Sequence, residues 1–265
     1  MNEENKPTQP DNQEVTTPEP TQEVPPLTKT DAIAGVFTEP GDTFSTIAKS
    51  PKHNYWLLPV IIFIIVNLIS TFLFLSDDEL VSKVMDKQFR KVEQKMEENV
   101  KDGTMTQQEA DIALEQTEKF MSPGSVFFLI SAYGAGLVMP FVLLFALSLV
   151  YLIALKILKA EFVYVNMLNV IGLSFVILAI GKILDVVLSI LTGDINTISA
   201  GLFFNEASVG ESLYKLLMAV DAFVIWFLII IAIGLSKISG IKSNVSYTLA
   251  FGVWIIWILI TSFIF

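Results

Sequence analysis

The 265-residue sequence contains no cysteine, a single histidine, His53, and a single arginine, Arg90. Without thiols, no disulfide framework, thiolate metal site or cysteine nucleophile can form. One histidine with no nearby carboxylate cluster is a poor basis for a metal centre or a general base, so we interpret His53 as a headgroup contact or a plain surface residue. The net charge of −10 argues against nucleic acid as a partner, because phosphate binding needs clustered basic side chains.

Apolar residues make up 53% of the chain and charged residues only 17%, and the apolar residues are concentrated in five long runs. About 20 apolar residues suffice for a helix to cross a hydrocarbon core about 30 Å thick. Each run approaches or exceeds that length. The pattern predicts an all-α membrane protein, a five-transmembrane-helix bundle with spans near residues 56–75, 126–155, 163–191, 213–235 and 246–265.

The polar region before the first run divides into two parts. Residues 1–30 are acidic and rich in Pro, Thr and Gln, a composition that cannot bury enough apolar area to fold, so we predict a disordered tail. Its early residues lack the apolar run of a cleavable signal peptide, and we expect none. Residues 31–55 predict two short amphipathic helices at the membrane surface, divided at Pro40 and Gly41, with Asp31 and Asp42 as N-caps.

Basic residues in the short flanks of the spans are distributed unevenly. The loop 192–212 carries three acidic residues and no basic one. Because basic residues are retained in the cytoplasm, this asymmetry predicts a cytoplasmic N-terminus and a C-terminus outside. The basic residues that collect on the predicted cytoplasmic side are Lys49, Lys52, Lys156, Lys159, Lys237 and Lys242.

The long loop between the first and second spans predicts an extramembrane helical hairpin over residues 77–120. Apolar side chains recur every three or four residues over 81–100, and a sparser stripe covers 112–120. Gly103 is placed to end the first helix, and Thr106 with Glu109 matches a capping box that starts the second. We expect the first of these helices to continue from a membrane span.

Residues 102–109 match the second half of a calcium-binding loop, with Gly103 at the sharp turn and Glu109 in the bidentate position. The first half does not match, because Val100 would occupy a ligand position and has no side-chain oxygen. A turn followed by a capping box uses every residue present, so we favour that interpretation and expect no bound metal or cofactor.

Four ionisable residues fall within or beside the third and fourth spans: Lys182, Asp185, Lys215 and Asp221. Charges in lipid are costly and need partners. At similar depth in two antiparallel spans, Lys182 could pair with Asp221 and Asp185 with Lys215. Such pairs could fix the register of the two helices or form an ion path, and we favour the structural role because the set is small and half of it lies near the interface.

Two segments resemble a known family. Residues 37–47, FTEPGDTFSTI, stand ahead of the first span and resemble the pre-membrane segment of bacterial Yip-domain proteins, in which a proline is followed by a phenylalanine and an isoleucine. Residues 155–162, LKILKAEF, and 168–174, LNVIGLS, are similar to that family's short basic turn and the start of its third helix. The resemblance covers about residues 33–265. The chain departs from the pattern in its long hairpin and at Leu173 and Phe175, near which family members often place Tyr or Pro.

The resemblance implies a five-helix bundle in a bacterial plasma membrane. Eukaryotic Yip proteins associate with Rab GTPases and act in vesicle traffic without catalysis. Rab binding does not transfer to prokaryotic relatives, which lack that traffic system, and the resemblance assigns no site residue. We expect a non-enzymatic scaffold or adaptor that contacts the lipid bilayer, other membrane proteins or a cytoplasmic protein through its tail.

The alternative function is a small transporter or channel that uses Lys182, Asp185 and Asp221. An internal cavity that reaches these residues would favour transport, whereas a closely packed bundle would favour a scaffold. An intramembrane enzyme is the least favoured class, because no nucleophile, pair of catalytic acids or metal-ligand cluster falls at membrane depth.

Overall fold

The computed structural model describes residues 26–49, 53–122 and 124–263, and within these ranges the chain is almost entirely helical. A 3-10 turn, Ala200–Phe203, precedes α8. The helices in chain order are α1 (Lys29–Thr38), α2 (Pro40–Lys49), α3 (Leu57–Leu75), α4 (Asp78–Lys101), α5 (Gln107–Met121), α6 (Val126–Ile157), α7 (Tyr164–Thr192), α8 (Glu206–Val209), α9 (Glu211–Ala219), α10 (Ala222–Ser239) and α11 (Ser243–Phe263).

Five of these helices, α3, α6, α7, α10 and α11, are long and apolar enough to cross a membrane. The prediction of an all-α bundle with five spans and an intervening helical hairpin is confirmed. Four spans lie within a few residues of their predicted positions. The fourth begins at Ala222 rather than at residue 213, because the chain breaks after α9.

Helix α7 lies at the centre of the bundle, where it packs against α3, α6 and α10. In its most apolar stretch 61% of the residues are buried, against 22% in each of α3, α6 and α11, whose exposed side chains form the lipid-facing surface. Gly172 allows one of these contacts. A Cβ atom at this position would lie 2.5 Å from Cβ of Trp56 and 2.8 Å from its Cα, so α7 and the start of α3 approach as closely as backbones permit.

Helices α1 and α2 form a two-helix unit, here called the cap, that packs on α7 and α10. Ala32, Val36, Phe44 and Ile47 are completely buried in this contact and belong to the main core. Their apolar faces therefore meet protein, and contact between the remaining faces and the membrane surface stays a prediction. The predictions of Asp31 and Asp42 as N-caps are wrong. Thr28 caps α1, and its side chain accepts a hydrogen bond from the Asp31 N–H at 3.1 Å. Asp42 lies inside the first turn of α2, which begins at Pro40.

Helices α4 and α5 form the hairpin at the opposite end of the bundle from the cap. The prediction that the first hairpin helix continues from a span is wrong, because the chain turns at Ser76 and the Asp77 side chain caps α4 by accepting the Leu80 N–H at 3.0 Å. The capping box of Thr106 and Glu109 is confirmed at the start of α5. Gly103, with a φ of 71°, ends the first helix as predicted, since a left-handed residue there is easiest for glycine.

Candidate functional site

Asp221 lies at a break between two helices rather than inside a span. Its carboxylate caps α10, accepting the N–H groups of Phe223 at 2.7 Å and Val224 at 2.9 Å. Extended backbone on either side of it pairs with the segment after α7: the Ala222 N–H donates to the Ile198 carbonyl at 3.0 Å, and a single antiparallel bridge joins Ser199 to Asp221. An aspartate in this position terminates the fourth span through local hydrogen bonds.

Of the other three charges, two contact neighbouring groups and one is exposed. Oδ1 of Asp185 accepts the Ile198 N–H at 3.0 Å, Lys215 lies 3.4 Å from Glu211, and the side chain of Lys182 is exposed. Within residues 26–49, 53–122 and 124–263 no ion pair joins Lys182 to Asp221 or Asp185 to Lys215. The structure brings Asp185 and Asp221 to the same junction because both hold the segment around Ile198. It does not form the two predicted ion pairs.

A different set of charges connects the hairpin to the rest of the protein. Lys83, Lys87 and Lys91, here called the lysine ladder, are spaced four residues apart and project from one face of α4. Lys83 donates to the Gly193 carbonyl. Lys87 lies 2.6 Å from Glu206, and Lys91 lies 2.8 Å from Glu211. The ladder therefore holds α4 against the segment that joins α7 to α10.

The ion pairs shift the pKa of Lys87 and of Glu211. Hydrogen bonding to Glu206 raises the pKa of Lys87 above its ordinary value, and hydrogen bonding to Lys91, helped by the charge of Lys215, lowers the pKa of Glu211. The lysine side chains are about half exposed, at 55% for Lys87 and 51% for Lys91. Solvent screening limits each pair to less than about 1 kcal/mol, so the ladder orients the hairpin more than it stabilises the fold.

Two cavities lie at the hairpin end. One, of about 350 Å³, separates α4 from α9 and the end of α11, and Lys87, Lys91, Lys215, Glu206 and Glu211 contribute the charged part of its wall. The other, of about 290 Å³, lies between α4 and α5 and is lined by Met85, Phe89 and Met121 with Asp86 and Glu118 at its edge. Neither is lined by Lys182, Asp185 or Asp221.

Near the cap, Asn169 of α7 makes a three-bond contact with the chain entering the first span. Its Oδ1 accepts the N–H groups of Tyr55 at 2.8 Å and Trp56 at 3.2 Å, and its Nδ2 donates to the His53 carbonyl at 2.9 Å. Asn169 is completely buried. It satisfies backbone groups that precede the first turn of α3 and would otherwise be unpaired in an apolar setting.

Sequence reasoning assigned no role to this asparagine. The available signal was an amide side chain in the first two turns of an apolar span, because asparagine in a membrane helix commonly hydrogen-bonds to a neighbouring segment. Two other buried polar atoms have no hydrogen-bond partner in the described part of the chain, the hydroxyl of Tyr151 on α6 and Oδ1 of Asn166 on α7.

The remaining candidates take local structural positions. In the segment 102–109, the Glu109 carboxylate accepts the Thr106 N–H at 2.8 Å, as the capping-box interpretation requires. His53 is exposed, with its ring stacked on that of Tyr55 at 6.1 Å between centroids. Across the described ranges no group of three or more His, Cys, Asp or Glu side chains is placed to hold a metal ion.

Comparison with known proteins gives one match. The sequence model of a protein family described as the Yip1 domain matches residues 34–264, a range that starts within α1 and includes α2, the hairpin and all five membrane helices. No curated protein and no solved structure matches the chain. The match coincides with the range of the resemblance noted on the segments before the first span and around the turn between α6 and α7.

Proposed function

The chain is an integral membrane protein of the Yip1 domain family, and on this premise we propose that it is a non-enzymatic scaffold or adaptor of a membrane. In this proposal the bundle anchors the protein and contacts lipid or other membrane proteins. The acidic, Pro-rich sequence of residues 1–25, which lies outside the described residues, acts as an arm for a protein partner.

The packing around α7 is the observation that carries the proposal. The central helix is largely buried by its neighbours over residues 166–181. The two cavities described above lie at the hairpin end, and neither is lined by Lys182 or Asp185. A transporter needs a polar route at membrane depth, whereas a scaffold needs a rigid body with contact surfaces. The transport alternative is therefore not favoured.

The cap supports the adaptor role of the N-terminal sequence. The Tyr55 hydroxyl donates to the Leu27 carbonyl at 3.1 Å, so the chain is held to the bundle immediately after the tail. Asn169 holds residues 53–56, which follow the cap in the chain. A tail that leaves from a fixed point presents its binding groups at a defined place near the membrane, which raises their effective concentration for a partner there.

We further propose that the cap faces the cytoplasm of a bacterial plasma membrane and that the hairpin lies outside. The positive-inside rule supports this orientation, since the basic flanks of the spans collect at the cap end. The cysteine-free chain allows a direct test. Lys119→Cys in the hairpin should react with a membrane-impermeant maleimide on intact cells, while Lys156→Cys at the cap end should react only after lysis; the reverse labelling pattern would invert the topology.

The test of the scaffold role is affinity purification of the tagged protein from native membranes in mild detergent, followed by mass spectrometry. The full chain is compared with a variant lacking residues 1–25, which leaves Leu27 and the cap intact. We expect a stoichiometric protein partner with the full chain that is lost from the shortened one. A partner-free protein in both preparations, together with solute flux in proteoliposomes, would refute the proposal in favour of transport.

A further inference from the structure

The larger cavity at the hairpin end has both charged and apolar lining. Lys87 and Lys91 of α4 and Lys215 of α9 contribute ammonium groups, and Met218 and Ala219, on the same helix as Lys215, contribute apolar surface. Its volume of about 350 Å³ falls within the range of small-molecule sites, which starts near 300 Å³. Such a lining suits a ligand with a negative group and an apolar part.

The charge in this cavity has the opposite sign to that of the whole chain. Three lysines face two glutamates there, so the lining has a net charge of about +1 in a protein of formal net charge −10. Glu211 is shared, at 2.8 Å from Lys91 and 3.4 Å from Lys215. The carboxylates of Glu206 and Glu211 therefore lie where the anionic group of a ligand would sit, and a ligand must compete with them for the ammonium groups.

The position of the cavity relative to the membrane selects the ligand. Thr261 and Ser262, at the end of α11, complete the lining. One turn earlier on the same helix, Ile256 and Trp257 are 60% and 65% exposed and belong to the lipid-facing surface. The cavity thus lies within about one helical turn of exposed apolar side chains on α11.

From this arrangement we infer that the cavity is a binding site for the headgroup of an anionic phospholipid. Its phosphate contacts Lys91 and Lys215, and its acyl chains follow the exposed face of α11. Lysine is a common phosphate ligand and acts as a point charge, which suits a headgroup that approaches from the bilayer. The inference stands apart from the proposed scaffold role, because it rests only on the cavity and its surroundings.

The decisive experiment uses two substitutions that break the same ion pair with opposite effects on charge. The full-length protein, delipidated in detergent, is titrated with phosphatidylglycerol, and bound lipids are counted by native mass spectrometry. Lys91→Gln removes a cation and should lower the affinity about five-fold, the effect of one basic group near an anionic headgroup. Glu211→Gln removes the competing carboxylate and should raise the affinity by a similar factor.

Three controls make the result specific. Phosphatidylcholine with the same acyl chains should bind more weakly than phosphatidylglycerol to the wild type. The pair Glu115 and Lys119 of α5 lies 2.7 Å apart outside the cavity, so Glu115→Gln and Lys119→Gln should leave the affinity unchanged. Lys215→Gln removes the second ammonium group that contacts the phosphate, so it should also lower the affinity and replaces Lys91→Gln if that variant does not yield folded protein.

Several outcomes would overturn the inference. Equal loss of binding in Lys91→Gln and Glu211→Gln would show that the ion pair only maintains the shape of this region. Equal binding of the two lipids would exclude recognition of an anion. Complete displacement of the lipid by millimolar inorganic phosphate would exclude the lipid as the source of the anionic group and assign the site to a free phosphate.

Discussion

Replacing Asn169 by alanine tests whether the hydrogen bonds of the buried amide, rather than the volume of the side chain, hold the first span to the central helix. The substitution removes three hydrogen bonds, to the Tyr55 and Trp56 N–H groups and to the His53 carbonyl, and leaves those backbone groups unpaired. A net value of about 0.6–1 kcal/mol for each bond gives about 2–3 kcal/mol of lost stability, before any cost of the cavity.

Asn166 supplies the matched control. It is buried on the same helix, at 2% exposure, but its Oδ1 has no partner among the described residues. Asn166→Ala creates a cavity of the same kind without breaking bonds at that oxygen. We expect Asn169→Ala to be the less stable variant by about 2 kcal/mol, which corresponds to a melting temperature lower by about 4–8 °C for a chain of this size.

The assay is equilibrium unfolding in mixed micelles at increasing SDS, read by near-ultraviolet circular dichroism, with thermal unfolding as a second measurement. Equal destabilisation by the two alanine variants would refute the reasoning, because the three hydrogen bonds would then contribute nothing beyond the filled volume.

Two further predictions use the same assays. Gly172→Ala should destabilise the protein by about 1–3 kcal/mol because its Cβ would overlap Trp56. Gly134→Ala is the control and should be neutral or slightly stabilising, because a Cβ there meets no atom within 4 Å. Similar losses of stability in the two variants would contradict the close helix contact. The lowered pKa of Glu211 means that its ion pair with Lys91 stabilises the fold fully above the ordinary glutamate pKa and less as the pH falls through the lowered value. Thermal stability of the wild type should therefore decline in acid more than that of Glu211→Gln, and parallel pH profiles would count against the pair.

The membrane spans were predictable because hydrophobic length is a local property. Each apolar run is long enough to cross the bilayer by itself, and a helix satisfies its own backbone hydrogen bonds, so no tertiary contact is needed to identify it. The capping box at Thr106 and Glu109 was predictable for the same reason, since its bonds join residues three positions apart.

The break before the fourth span was missed because its cause is tertiary. The apolar run from residue 213 is interrupted only by the single charges Lys215 and Asp221, and these were interpreted as charges in or beside one span instead of marks of a break between α9 and α10. The extended backbone at Asp221 is set by its bridge to Ser199, a residue that lies beyond the end of α7. The Asp221 carboxylate then caps α10 through the N–H groups of Phe223 and Val224 instead of pairing with Lys182.

Sequence alone determined that the protein is an all-α membrane protein with five spans, a hairpin and a cap region, because these follow from hydrophobic length, periodicity and capping residues along the chain. Only the tertiary structure decided that α7 is the central helix, that Asn169 binds the start of the first span, and that lysines 83, 87 and 91 meet acceptors more than a hundred positions away. Hydrogen bonds and ion pairs between distant segments depend on which helix faces pack together, and the apolar surfaces of membrane helices are too similar in composition to specify those neighbours.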